Sequence, residues 1–245
     1  LPDRVVLWTR VTPSREALPG SGLGEGVELE WQIDTSEDFS NPQTGTVTTS
    51  ADSDHTVHVD PDGLEPATEY FYRFIVKSGE FEGATSPVGR ALTAPEADAS
   101  VDNLNLAIAS CANWESGFFA AYGDMAQRAR GGEIDHVVFL GDYIYEYPTG
   151  EYAGKSGVAR MHHPEWEITT LEDYRQRHGR YRTDLNLQAA HAACPWIVIW
   201  DDHETANNSW FEGAENHTDG RVEGEWPEPL SAAKQAYFEW LPVRA

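Results

Sequence analysis

The hydrophobic period changes once along this chain, near residue 100, and that change limits the fold to two unlike parts. Before it, apolar and polar residues alternate. Val27, Leu29, Trp31 and Ile33 are interleaved with Glu28, Glu30 and Gln32, the period-two pattern of a strand with one buried face. Val5-Val6-Leu7-Trp8, Thr46 to Thr49 and Thr56 to Val59 are further β-prone runs, and Tyr70 to Val76 is the strongest. Clusters of Gly, Pro, Asp and Ser punctuate them. Short strands at this spacing predict a β-sandwich over residues 1–95.

Ala94-Pro95-Glu96-Ala97-Asp98-Ala99-Ser100 reads as a linker. Beyond it, strands alternate with helices. Leu104 to Ala109, His136 to Leu140 and Pro195 to Trp200 are apolar strands, and Phe118 to Ala129, Leu171 to Tyr181 and Asn186 to Ala193 have helical spacing. This alternation predicts a mostly parallel sheet covered on both faces, beginning near residue 103. Residues 146–170 form a long insertion, of the kind that is usually functional or mobile.

Each apolar strand of the second part ends in chemistry-bearing residues: Ser110-Cys111-Ala112-Asn113, Gly141-Asp142-Tyr143-Ile144-Tyr145 and Asp201-Asp202-His203-Glu204. In parallel sheets the C-terminal strand ends share one edge, where α/β proteins build sites. The edge would gather a thiolate, carboxylates, a phenol and an imidazole, which is a metal-ligand set. In an extended chain Asp201 and Asp202 face opposite sides, so only one of them should face the site unless the strand has already turned. Asn207 and Asn208 add neutral oxygen ligands or contacts to substrate oxygens.

Cys111 follows its strand and Cys194 precedes its own. Parallel strands of about six residues separate those edges by roughly 20 Å, against about 7 Å at most between bridged Cα atoms. The two thiols are therefore expected to be free or metal-bound. Arg175, Arg177, Arg180 and Arg182 form a local basic patch whose guanidinium forks match phosphate oxygens, although ion pairing with neighbouring acids on a solvated helix is the expected role of each except Arg175. His162-His163 reads as a surface loop pair, and His55, His58, His136 and His191 as structural.

The 245 residues carry a formal charge of -24, from 41 acidic and 17 basic residues. Such a surface repels nucleic acids and anionic membranes, so a phosphate-bearing substrate needs metal ions or arginines to hold it. The acidity suits high salt as well as simple solubility. No apolar run is long enough to span a membrane.

These stretches together resemble the PhoD-like alkaline phosphatases, a branch of the metallophosphoesterases. The matching segments are Pro2 to Arg10, Ala109-Ser110-Cys111, Leu140 to Tyr147, Leu171 to Arg175, and Leu187 to His191 through Trp200 to Glu204. Gly63-Leu64-Glu65-Pro66-Ala67-Thr68-Glu69-Tyr70 also resembles the fibronectin type III corner, in which a Leu and a Tyr lock a turn. The resemblance implies an α+β two-domain chain: a fibronectin III-like sandwich over 1–95, then the first part of a layered α/β metallophosphoesterase domain over 103–245.

It further implies phosphomonoesterase or phosphodiesterase activity on a small phosphate ester or a phospholipid-type substrate, through a hydroxide bridging Fe3+ and Ca2+. Cys111, Asp142 and Tyr145 correspond to iron ligands, and Asp142 would bridge to calcium. Asp202 or Asp201 would complete the calcium side, with Asn208 as a further candidate. His203 would face the phosphoryl group and Arg175 would bind it. The family's remaining ligands are expected beyond Ala245, so the chain reads as part of a larger, monomeric, secreted or cell-surface enzyme and is expected to be weak or inactive alone. The competing reading is a catalytically incomplete binding or accessory protein.

Overall fold

The computed structural model describes residues 1–218, 220 and 223–244. The first part is antiparallel throughout. Strands β2 (Glu28–Asp34), β3 (Gln43–Thr48), β5 (Glu69–Val76) and β6 (Gly89–Leu92) form one sheet in the order β3-β2-β5-β6. Strands β1 (Leu7–Arg10) and β4 (Thr56–Val59) pair separately. Leu29 and Ile33 of β2 and Tyr70, Phe74 and Val76 of β5 turn inward with Leu7 and Val57 of the smaller sheet. This is the alternation read from the sequence. At the corner Leu64 is buried, and the Glu65 N–H donates to the Tyr70 hydroxyl at 2.8 Å.

The second part holds a parallel sheet in the order β7 (Leu106–Ala109), β8 (His136–Phe139), β9 (Trp196–Val198). Helices α1 (Ala120–Arg130), α2 (Leu171–Tyr181) and α3 (Leu185–Ala193) lie within the two crossovers. Thr170 opens α2 with a reciprocal capping box to Asp173, which satisfies N–H groups the first turn leaves free. Tyr122, Ala126 and Ala129 of α1 and Leu187, Ala190 and Ala193 of α3 pack on Val137, Phe139 and Trp196.

Among the described residues the expected covering of both faces is not found. Leu106, Ile108, Ile197 and Ile199, on the opposite side of the pleat, are 45–67% exposed. The strand order explains it. Two right-handed crossovers running the same way across a sheet place their helices on one side.

A further helix, α4 (Pro227–Trp240), lies where the sequence reading assigned no element. Its signals were Pro227 at the first helical position and Ala233, Ala236, Tyr237 and Trp240 at i, i+3, i+4 and i+7, all buried. α4 joins the two parts. Trp8 Nε1 donates to the Glu239 carbonyl at 2.8 Å, and His58 Nε2 contacts the Leu241 carbonyl at 2.8 Å.

Candidate metal and phosphate site

The parallel register brings the three strand ends to one edge. Short bonds stitch them together: Leu140 N to Ala109 O (2.8 Å), Ile199 N to Phe139 O (3.1 Å), Cys111 N to Gly141 O (3.1 Å) and Ala112 N to Asp142 O (2.8 Å). Gly141 lies at φ +98°, and a Cβ there would sit 2.3 Å from the Asp201 Cβ. Only glycine allows β8 to turn so closely beneath the third strand end.

Asp142, Asp202 and His203 offer ligand atoms within 4.8 Å of one another. Asp142 is the hub. Its Oδ2 accepts from the Tyr145 hydroxyl at 3.1 Å and lies 3.4 Å from the Cys111 thiol. Its Oδ1 is buried with no hydrogen-bond partner, a costly state for a carboxylate oxygen. Burial, then the charges of Asp142 and Cys111, push the Tyr145 phenol pKa up. A cation at Asp142 would use the orphaned oxygen and reverse the electrostatics that oppose a phenolate. The donor set of carboxylate, thiol, phenol and imidazole therefore fits a metal centre.

Asp202 rather than Asp201 enters this cluster. Strand β9 ends at Val198, so the chain has left the extended geometry before the pair. Asp201 is exposed and packs against Gly141, with its own N–H on Glu204 Oε2 at 2.9 Å. Asp202 Oδ2 accepts the Asn208 N–H at 2.5 Å. The Asn208 side-chain amide donates to Glu215, so that nitrogen is engaged away from the cluster.

His203 is fixed by a residue that sequence reasoning passed over. Its Nδ1 lies 2.7 Å from Glu146 Oε2. Glu146 is fully buried, and its other oxygen accepts from Asn207 N (2.6 Å) and Asn216 Nδ2 (2.8 Å). Burial lowers the His203 pKa, but the Glu146 bond and charge, then Asp202 and Asp142, outweigh it and leave the pKa raised. Aromatic rings wall the imidazole: Tyr145 at 4.3 Å, Tyr147 at 5.5 Å and Tyr152 at 6.0 Å between centroids.

Tyr152 comes from the 146–170 insertion. Buried Glu115 ties it down by accepting Gly150 N (2.7 Å) and Tyr152 N (3.0 Å). Buried Arg177 grips the same insertion, donating to the Tyr145, Tyr147, Pro164 and Trp166 carbonyls. Nothing in the sequence marks Glu115 or Glu146 among 41 acidic residues. Their signal is structural, since each is an ionisable side chain fully inside the protein.

Arg175 is corrected. It is 7% exposed and donates to both Glu239 oxygens, at 2.7 and 2.6 Å, and to the Asp52 carbonyl at 2.6 Å. Its fork is filled by α4 and the β part, not held open for a phosphoryl group. The other arginines are not on a solvated helix face either. Arg177 is buried, Arg182 is stacked over Trp8, and Arg180 lies 4.9 Å from the Trp114 ring centre. His162, expected at the surface, is 2% exposed. Cys111 and Cys194 are both free thiols.

The family model for PhoD-like phosphatase matches residues 106–245, and that for the PhoD-like phosphatase N-terminal domain matches residues 1–95. Alkaline phosphatase D of Bacillus subtilis (strain 168) is 43% identical over 246 residues, an alignment covering all of this chain and 40% of that protein. A solved structure of PhoD superposes with a TM-score of 0.88 at 42% identity, over 100% of this chain and 44% of that one. Purple acid phosphatase PPD1 from yellow lupin (Lupinus luteus) seeds shares the fold, with a TM-score of 0.51 at 13% identity over 94% of this chain and 38% of that one. The chain thus spans about two fifths of the length of these relatives. On the match of both family models and this identity along its whole length, the chain belongs to the PhoD-like phosphatase family.

Proposed function

We propose that this chain supplies part of the active site of a phosphoric ester hydrolase acting on a small phosphate ester or a phospholipid-type substrate. The observation that carries the proposal is the convergence of Cys111, Tyr145, Asp202 and His203 on the Asp142 carboxylate, one oxygen of which is buried without a donor. The family resemblance adds Fe3+ and Ca2+ as the ions. Asp142, Tyr145 and Cys111 would hold the first, and Asp142 and Asp202 the second. Bound there, such a pair supplies Lewis-acid polarisation of phosphate oxygens and activation of water.

The chain's own residues do the rest. Glu146 occupies His203 Nδ1, which leaves Nε2 as the ring atom facing the substrate, a donor to a phosphoryl oxygen or leaving group when the ring is protonated. The three tyrosine rings exclude water from one side of the imidazole and fix its plane. With Arg175 committed to Glu239, His203 is the described side chain placed to stabilise charge developing on the phosphoryl group. We assign residues 1–95 to a fibronectin III-like sandwich and residues 103–245 to the phosphatase domain, and place the protein as an exported monomer.

The test is the visible spectrum and iron content of the full-length protein, alongside hydrolysis of p-nitrophenyl phosphate and its bis ester. Ferric phenolate and thiolate ligation should colour the wild type. Tyr145→Phe should bleach or shift the band without unfolding the protein, and His203→Ala should lower turnover by roughly 10²–10³-fold. A colourless, iron-free, fully active wild type refutes the iron assignment. Unimpaired turnover by Asp142→Asn refutes the site.

A further inference from the structure

Away from the strand-end cluster, a cleft of about 800 Å³ opens between the β part and the α/β part. Arg4, Arg10, Arg90, Arg182 and Arg244 border it, and among the described residues no Asp or Glu does. That is unusual in a chain with 41 acidic and 17 basic residues. None of Cys111, Asp142, Tyr145, Asp202 and His203 lines it, so it is separate from the proposed catalytic site and does not depend on that reading.

Four of these arginines have carboxylate partners set behind the cleft wall. Arg10 lies 3.4 Å from Asp54, Arg90 pairs with Glu69, Arg244 lies 2.7 Å from Asp60, and Arg4 lies 3.5 Å from Asp3. Arg182 differs. Among the described residues no carboxylate lies within ion-pair distance of it. One Nη donates to the Trp240 carbonyl at 2.9 Å, and Nε is buried without a partner. Its plane is held 4.5 Å from the Trp8 ring centre and 5.5 Å from that of Tyr143. Burial pushes its pKa down. The C-terminal ends of α2 and α4 offset part of the charge, but neither completes the guanidinium fork with an anion.

A fork in this state favours an oxyanion, which it binds by charge-assisted hydrogen bonds. The rest of the wall mixes polar side chains, such as Thr9, Ser86, Gln188 and His191, with a larger apolar share. Trp8 and Trp240 lie 6.1 Å apart, with Tyr72, Pro195 and Trp196 also lining the space. Concave, mostly apolar clefts with a few placed polar groups are the usual form of small-ligand sites. We propose that this cleft binds an organic anion with an apolar body of aromatic size and a single carboxylate, sulfonate or phosphate head, the head seated on Arg182. Because both parts of the chain form the wall, the bound anion also clamps their junction.

The probe is 8-anilino-1-naphthalenesulfonate, with uncharged N-phenyl-1-naphthylamine as its control, titrated by fluorescence against the folded full-length protein. The sulfonate should bind saturably at one site and raise Tm, as a ligand selective for the folded state must. Arg182→Gln should weaken the sulfonate about tenfold, equivalent to about 1.4 kcal/mol, and leave the uncharged dye within about twofold. Ala192→Trp fills the cleft from α3 without touching the Arg182 bonds, and should abolish binding of both dyes while near-ultraviolet circular dichroism stays native. It serves as the deciding variant if Arg182→Gln does not fold. Absence of saturable binding, equal weakening of both dyes by Arg182→Gln, or sulfonate binding undiminished in Ala192→Trp overturns the proposal.

Discussion

Replacing Arg175 separates two roles that cannot both hold. If the guanidinium binds a phosphoryl group, Arg175→Met should raise KM and leave the fold alone. The geometry requires the reverse. Arg175 and Glu239 are 7% and 9% exposed and share two bonds of 2.7 and 2.6 Å. Removing one partner of such a pair leaves a buried charge uncompensated, at a cost of about 3–5 kcal/mol. Gln235 Nε2 still donates to Glu239 at 2.8 Å, which favours the lower half of that range. The Asp52 carbonyl also loses its donor, which pushes back upward. For a chain of this length the net loss corresponds to a fall in Tm of roughly 10 °C. Arg175→Met/Glu239→Leu should recover to within about 2 kcal/mol of wild type, because well-packed apolar replacements of buried pairs are often close to neutral. Urea denaturation of wild type, both single variants and the double variant at neutral pH measures all of these. An unchanged urea midpoint for Arg175→Met, together with a raised KM in the full-length protein, would refute the structural role and restore the phosphate-binding one.

Gly141→Ala should cost roughly 2–4 kcal/mol through its left-handed backbone and the collision with Asp201, and metal retention after gel filtration should fall with it; a variant with wild-type stability and metal content contradicts this. Glu146→Gln should lower turnover of the full-length protein by roughly 10–100-fold, as loss of an orienting outer partner does, with secondary structure unchanged by circular dichroism; unimpaired turnover refutes the positioning role. His162 has a folded pKa pushed down to about 3 by burial and by Arg177, Arg180 and Arg160. It is neutral when folded, so stability is full above the unfolded value near 6.5 and is lost as pH falls from there toward 3. The loss is roughly 2 kcal/mol by pH 5. His162→Phe, which also removes two buried unpaired nitrogens, should lack that loss when urea midpoints at pH 7.5 and 5 are compared. Equal pH dependence in the two proteins rules this out.

Much of the fold was legible because it depends on local pattern. Period two gave β2 and β5, and apolar runs separated by helical spacing gave β7, β8 and β9 with their ligand-bearing ends at one edge. What failed depended on partners distant in sequence. Arg175 looked like a phosphate ligand because its fork is the right shape. Only the packing of α4, 64 residues away, shows that Glu239 fills it. The histidine pair had the composition of a surface loop, yet the ring of His162 stacks on Tyr181 inside the protein. The choice between Asp201 and Asp202 turned on where β9 ends, and a three-residue strand is too short for periodicity to locate its last residue.

The backbone of the site holds information that no residue pattern carries. Cys111, Asp142 and Asn208 all adopt left-handed conformations, at φ 59°, 57° and 51°. Asp and Asn enter that region more readily than most residues, whereas Cys has no such excuse. Each such residue costs on the order of 1–3 kcal/mol unless its surroundings impose it. Here they do. The Cys111 N–H is tied to the Gly141 carbonyl and the Ala112 N–H to the Asp142 carbonyl, so Cys111 and Asp142 are held by each other's strand ends, and the Asn208 N–H is held by Asp202 Oδ2. Glycine at 111 would relieve the strain but remove the thiol 3.4 Å from Asp142. Phe39, His55 and Ala67, outside the site, are left-handed as well, so the strain by itself assigns no role to the sulfur. What the backbone does is set the thiol beside the Asp142 carboxylate, and it is the orphaned Asp142 oxygen that calls for a cation there.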